Sequence, residues 1–451
     1  MPISAAPWKK DDYPFGLFPA ALLVLSVGYY LLFFILSGAL QHPTLWAPPG
    51  PGLVYGYFAT PIGADAFRLV WMGIAALIIG WFLGGAVVRR IPARNFICER
   101  YRTAKLSLIA PGREILFFLC ALNIAAVSAF YWFEWRPQVF YQLAHSAFFF
   151  SLAVVHHGQI AQSPSKMGRW FGYGALALFF LAFLAQRQTT LLFMAILFLG
   201  LLEILHRRRK WILMGSLLFI LLALLYPLKR TPLSPSVFAA CLPKIELEED
   251  RTNSYLLPAL ARCESTAARR NLIAAAVTWS RDQALRRISA IRLLDRAMAE
   301  TPTRVPYFNG ETLRPLLYMP VPRFLWPEKP LENIGNRIGH AYRILSPDDS
   351  ATSINLPWIV EFYINFGTKG VIAGFALAGF ALGGLARLGT VETRSPTAAS
   401  FTIGILFPLA YQESNLSLMV GNALHGAAGA AGLIALAWVA GRVRANADGT
   451  P

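Results

Sequence analysis

The chain has 451 residues, of which 56% are hydrophobic and 14% charged, with a formal net charge of +17 and a mean hydropathy of +0.48. Soluble domains carry roughly 25% charged residues, and here the apolar residues gather into runs near the roughly 20 that a helix needs to cross a bilayer, which excludes a soluble globular class. The basic excess lies largely at the ends of those runs, where it orients membrane helices. It therefore gives no reason to expect a nucleic-acid partner.

In chain order, the first apolar run, 14–40, is too long for the h-region of a signal peptide and lacks a small-residue cleavage site. It reads as the first of about ten transmembrane helices. These fall at 14–40, 66–88, 113–135, 140–157, 169–186, 188–206, 211–227, 366–388, 398–413 and 417–441. The fold class is thus an all-α polytopic membrane protein.

The short connections set an orientation. Lys9 and Lys10 precede the first span, Arg89 to Arg113 follow the second with seven basic side chains, Arg207 to Lys210 follow the sixth, and Arg442 and Arg444 follow the last. The loop 41–65 has neither Lys nor Arg. The positive-inside rule places the basic segments and both termini in the cytoplasm. Arg136 and Arg187 are exceptions, at outside turns.

Three parts follow: seven helices in 1–227, a loop outside the membrane in 228–356, and three helices in 357–451. Within the loop, residues 271–300 place Val277, Leu285, Ile288, Ile291, Leu294 and Met298 at helical spacing. They predict an amphipathic helix lying on the membrane domain. Cys241 and Cys263 both fall in this loop. In an oxidising compartment they are expected to join, closing a loop of about 20 residues; two free thiols are the alternative.

The stretch 304–370 is polar, aromatic, basic and proline-rich at once, more than a connector needs. In Pro322-Arg323-Phe324-Leu325-Trp326-Pro327-Glu328-Lys329-Pro330, prolines stiffen the chain around two cations. Further on comes Glu361-Phe362-Tyr363-Ile364-Asn365-Phe366-Gly367-Thr368-Lys369-Gly370, at the entry to a span.

These two elements resemble those of the O-antigen polymerase (Wzy-type) family of bacterial envelope proteins. Such proteins show PR-x-x-WP-x-KP in a large periplasmic loop and E-x-Y-x-N-F-G-x-x-G before the next helix. Asn309-Gly310-Glu311-Thr312 is similar to that family's lead-in, and Gln186-Arg187-Gln188-Thr189 stands where the family has a small-residue turn, sharing the Arg.

The resemblance implies a GT-C-like glycosyltransferase of the bacterial inner membrane. It would move a growing glycan from undecaprenyl diphosphate to a hydroxyl of a lipid-linked repeat unit on the periplasmic side. The implied partners are those two lipid-linked glycans, membrane lipids and a chain-length regulator, with no cofactor and no metal. A glycan ligase, or a flippase without chemistry, shares much of this architecture. A diphosphate leaving group calls for cations, and Arg suits phosphate. Arg187, Arg281, Arg287 and Lys329 are therefore expected to bind the diphosphate and Arg323 to act in transfer. Each of these also has a structural reading, as a lipid anchor or a loop brace. Glu361 is the expected general base, with Glu413 second; Tyr363 and Asn365, beside Glu361, are expected to bind the substrate diphosphate, with packing or helix entry as the alternative. His425, inside the last span, is an intramembrane polar group that either functions or bonds across helices. His156 and His157 have no acidic or thiol neighbours at ligand spacing, so no metal site is expected.

Overall fold

The computed structural model describes residues 63–90, 113–133, 144–160, 166–185, 291–321, 325–330, 332–390, 404–409 and 414–447, with isolated positions between them. Among these residues the protein is all-helical, with no β-strand. The helices are α1 (Ala64–Arg90), α2 (Arg113–Trp132), α3 (Phe148–Ile160), α4 (Lys166–Ala185), α5 (Ile291–Glu300), α6 (Pro315–Tyr318), α7 (Ile334–Ala341), α8 (Trp358–Thr390) and α9 (Leu416–Ala447). Three are long and apolar enough to cross a membrane: Ala64–Arg90, Trp358–Leu388 and Leu416–Arg444. Glu114–Phe130 is a shorter apolar helix.

The architecture rests on α1 against α8. Gly80 and Gly84 on α1 face Gly379 and Gly383 on α8, a small-xxx-small pair on both partners. A Cβ on Gly80 would lie 2.1 Å from Ala376 O, and one on Gly84 2.0 Å from Phe380 O. In return, a Cβ on Gly379 would lie 2.2 Å from Leu77 O, and one on Gly383 2.2 Å from Trp81 O. No other residue allows backbones to approach so closely. Around this seam Leu77, Val70, Val371 and Phe375 are fully buried, while Ile79, Phe82, Leu83 and Leu377 face outward. Such an apolar outer face suits lipid.

Contacting positions rise together along the two helices, from Gly73 with Val371 to Gly84 with Phe380. α1 and α8 are therefore parallel. If both cross a bilayer, an odd number of crossings must separate Arg90 from Trp358, the parity that the five predicted spans between them have. α9 begins beside the start of α8, since Leu416 N–H donates to Glu361 at 2.7 Å. The three long helices thus start at one end of the molecule. Their last turns carry Arg89 and Arg90, Arg387, and Arg444.

A second core joins α2, α3 and α4 around Phe148, Phe150 and Phe179, with Phe198 and Phe407 against Phe149. Asn123 is satisfied inside it, donating to Ala144 O at 3.1 Å and Ser151 Oγ at 3.0 Å. Helices occupy most of the predicted spans 140–157 and 169–186, and residues 404–409 of 398–413 are helical. The spans 14–40, 188–206 and 211–227 fall largely outside the described residues.

Of the helix expected over 271–300, residues 271, 273 and 274 and the final ten residues, α5, are helical, while 275–290 lie outside the described residues. α5 buries Ile291, Leu293, Leu294 and Ala297 and packs on α1 and α8. Asp295 Oδ1 accepts Gly63 N–H at 2.9 Å, capping the approach to α1. α8 starts at Trp358 rather than 366. Glu361, Tyr363 and Asn365 hence sit on a buried helical segment, and the expected entry point is instead a kink at Phe366 and Gly367.

The α1–α8 seam predicts that Gly80→Leu or Gly379→Leu costs at least about 2 kcal/mol through overpacking. Gly432→Leu, where nothing lies within 4 Å of a Cβ, is expected to leave stability unchanged. Thermal unfolding of the detergent-solubilised protein distinguishes the sites.

Candidate functional site

The site is built from the kink outward. Gly367 has φ 64° and ψ −154°, a conformation open to glycine alone, and its Cβ would meet the Tyr307 hydroxyl at 2.9 Å. A kink releases carbonyls from their helical partners. Here Ile364 O accepts Phe308 N–H at 3.0 Å. Asn365, fully buried, completes the join. Its Oδ1 accepts Gly310 N–H at 2.7 Å, and its Nδ2 donates to Thr312 Oγ1 and to Glu361 O, each at 2.7 Å. Gly310 is reached through left-handed turns at Asn309 (φ 48°) and Gly310 itself (φ 86°). The two sequence elements around Asn309 and Glu361 therefore form one structure, stapled by Asn365.

Glu361 is fully buried. Its Oε2 accepts the N–H of Leu416, one of the donors that a helix start leaves without an intrahelical partner. Next to it, Asn415 and Ser417 turn toward another carboxylate. Asn415 Nδ2 and Ser417 Oγ both donate to Glu332 Oε1. Two carboxylates thus hold the first turn of α9, where the helix dipole favours negative charge.

A cavity of about 390 Å³ opens against this turn. Lys329, Glu332, Asn415, Asn422, His425 and His145 are among its polar lining residues. Lys329 is buried, with Nζ donating to Val321 O at 2.9 Å and Met319 O at 3.3 Å, so it braces its own turn while facing the cavity. Glu332 Oε2 is buried without a hydrogen-bond partner among the described residues, as is His425 Nε2. Burial raises the Glu332 carboxyl above the ordinary glutamate value, against the opposing pull of Ser417, Asn415 and the Lys329 charge. A cation, a carboxylate with one bare oxygen and an imidazole meet in one space beside the first turns of α9.

Of the residues singled out in the sequence, Lys329 lines the cavity. Glu361, Tyr363 and Asn365 lie behind it, in the buried start of α8. Arg187, Arg281, Arg287, Arg323, Glu413, Cys241 and Cys263 fall outside the described residues. No group of three or more potential metal ligands occurs among the described residues. Glu332 and Asn415 were not singled out. Asn415, directly before an apolar run, carries an N-cap signal that would have marked it.

Among the described residues, the fold and site together define a class: an all-helical protein with three helices long enough to span a membrane and a polar cavity beside the start of one of them, α9. The profile of a domain family of unknown function, DUF8712, matches residues 60–388. The match covers most of the chain, including α1, α8 and the Lys329–Glu332 turn, and the chain belongs to that family. No curated protein and no solved structure matches it.

The raised Glu332 carboxyl carries a signed consequence. A group whose folded value exceeds its unfolded value of about 4.3 contributes stability that is full below that value and is lost as pH rises through the folded one. Thermal stability should therefore fall as pH rises through the window just above the unfolded value. Glu332→Gln should flatten that slope, as melting curves across the acid range would show.

Proposed function

We propose that the protein is a membrane glycosyltransferase that polymerises lipid-linked glycan repeat units, with the cavity at the start of α9 as its reaction chamber. The observation that carries this reading is the meeting of Lys329, Glu332 and His425 in a cavity of about 390 Å³ beside the first turns of α9. That volume lies within the range of small-ligand sites, roughly 300–1,000 Å³. The resemblance of the segment around Arg323 and Lys329, and of that around Glu361, to O-antigen polymerases supports it.

In the proposed reaction an acceptor hydroxyl oxygen bonds to the anomeric carbon of the donor glycan. The bond from that carbon to the diphosphate oxygen breaks, and its electron pair leaves with undecaprenyl diphosphate. Lys329, with Arg323 nearby in sequence, offsets the charge that develops on the diphosphate; removing one such stabilising group costs about 10²–10³ in rate. The acceptor proton passes to the carboxylate of Glu332, a cavity-lining residue whose Oε2 has no hydrogen-bond partner among the described residues. Glu361 then acts behind it, as a positioning residue that holds the first turn of α9. Burial raises the Glu332 carboxyl above the ordinary glutamate value, which makes it a stronger base than a solvated carboxylate.

The positive-inside pattern supports the orientation: the basic ends of α1, α8 and α9 face the cytoplasm and the cavity faces the periplasm. The donor and acceptor then sit in the outer leaflet of the bacterial inner membrane.

Deleting the gene and separating the lipid-linked glycans tests the reading. Single repeat units should accumulate while long chains disappear, and Lys329→Ala or Arg323→Ala should reproduce this with normal protein levels. Chains of unchanged length that fail to reach a final acceptor would mark a ligase instead. Repeat units trapped on the cytoplasmic side would mark a flippase.

A further inference from the structure

The turn that carries Lys329 has a second surface, directed away from the cavity. Leu317 is 86% exposed, Leu325 68% and Trp326 40%; Pro320 and Pro327 are exposed with them. These side chains are held outward by a fixed frame. Lys329 Nζ ties down Met319 O and Val321 O, Lys329 N–H donates to Trp326 O at 3.1 Å, and the Trp326 ring meets Tyr318 edge-on at 6.1 Å. An exposed apolar patch on a rigid frame marks an interaction surface.

Its place in the fold says what covers it. α6 packs directly on α9, and Met319 lies against Gly421, 3.5 Å from where a Cβ would be. Gly421 is five residues beyond Leu416, about 7.5 Å along the helix axis. That is a depth at which a spanning helix has already entered the lipid interface. Leu424, three residues beyond Gly421 and outside the cavity lining, is itself 45% exposed. The apolar surface of the turn thus continues the outer surface of a helix built to span a bilayer. Arg314, exposed one turn before Leu317, adds a cation at that level.

We propose that residues 315–321 and 325–330 form a membrane-interface anchor. Leu317, Leu325 and Trp326 enter the leaflet in which α1, α8 and α9 begin, and Arg314 reaches the lipid phosphates. A Trp with aliphatic neighbours and a flanking cation is the combination that settles at a lipid–water boundary. The anchor does not depend on the transfer reaction. Because Met319 and Lys329 belong to this turn and also line the cavity, it fixes the cavity mouth at the membrane surface.

The test uses the full chain, its four cysteines replaced, in nanodiscs of phosphatidylethanolamine and phosphatidylglycerol. An environment-sensitive fluorophore is attached at Leu317→Cys or, separately, Leu325→Cys. Asp348→Cys, exposed in the polar segment, and Val439→Cys, 52% exposed on α9, serve as water and lipid references. The anchor predicts blue-shifted emission at 317 and 325, loss of that emission with shallow doxyl-labelled lipids, and protection from aqueous iodide. Iodide quenching without lipid quenching overturns it, and so does shielding from both quenchers, which would mean that protein covers the turn. If position 439 also escapes lipid quenching, the membrane placement of α9 fails together with the anchor; failure at the turn alone removes only the anchor.

Discussion

The close backbone approach of α1 and α8 is the constraint on which the rest of the structure depends. Four glycines let two long apolar helices run side by side in the same direction, with carbonyl oxygens of one helix where the other's side chains would be. Between lipid-facing helices the hydrophobic effect supplies little attraction, so packing of this kind must hold them together. Once the pair is parallel, the chain between them has to return to its starting side. The polar segment that follows α5 is thereby brought over the helix starts.

The site grows from that placement. α8 cannot simply begin at its apolar run, because its first turns are wedged into the core under the polar segment. Burying a carboxylate and an amide there is costly unless each is hydrogen-bonded. Asn365 meets that demand through Gly310 and Thr312, and Glu361 meets it at Oε2 through Leu416, while its Oε1 has no hydrogen-bond partner among the described residues. The polar network in turn locks the start of α9 beside Glu332. A cavity lined by Lys329, Glu332 and His425 follows from that fixed start of α9 and the turn that packs beside it.

What the sequence made legible was whatever depends on composition over a window. α1 and α9 extend 66–88 and 417–441 by only a few residues at either end, because lipid solvation demands an unbroken apolar helix. The start of α8 was not legible, since Glu361 and Asn365 read as polar entry residues until their distant partners are known. The motif from Glu361 to Gly370 was visible as a motif, but its physical content is a kink only Gly367 permits. Glu332 was missed for a similar reason: the groups that hold it, Asn415 and Ser417, are 83 and 85 residues away. Lys329, which lines the cavity, was singled out because prolines mark its turn locally, whatever lies across the cavity.

The central claim is that the cavity beside α9 receives the diphosphate of a lipid carrier, with Lys329 as the cation that meets it. Native mass spectrometry of the purified full chain, released from detergent after incubation with undecaprenyl diphosphate, tests this without any turnover. The account predicts a retained one-to-one lipid adduct in the wild type that is depleted at least tenfold in Lys329→Ala, a loss of about 1.4 kcal/mol, while Gly432→Leu keeps it. Equal retention by wild type and Lys329→Ala would contradict the account.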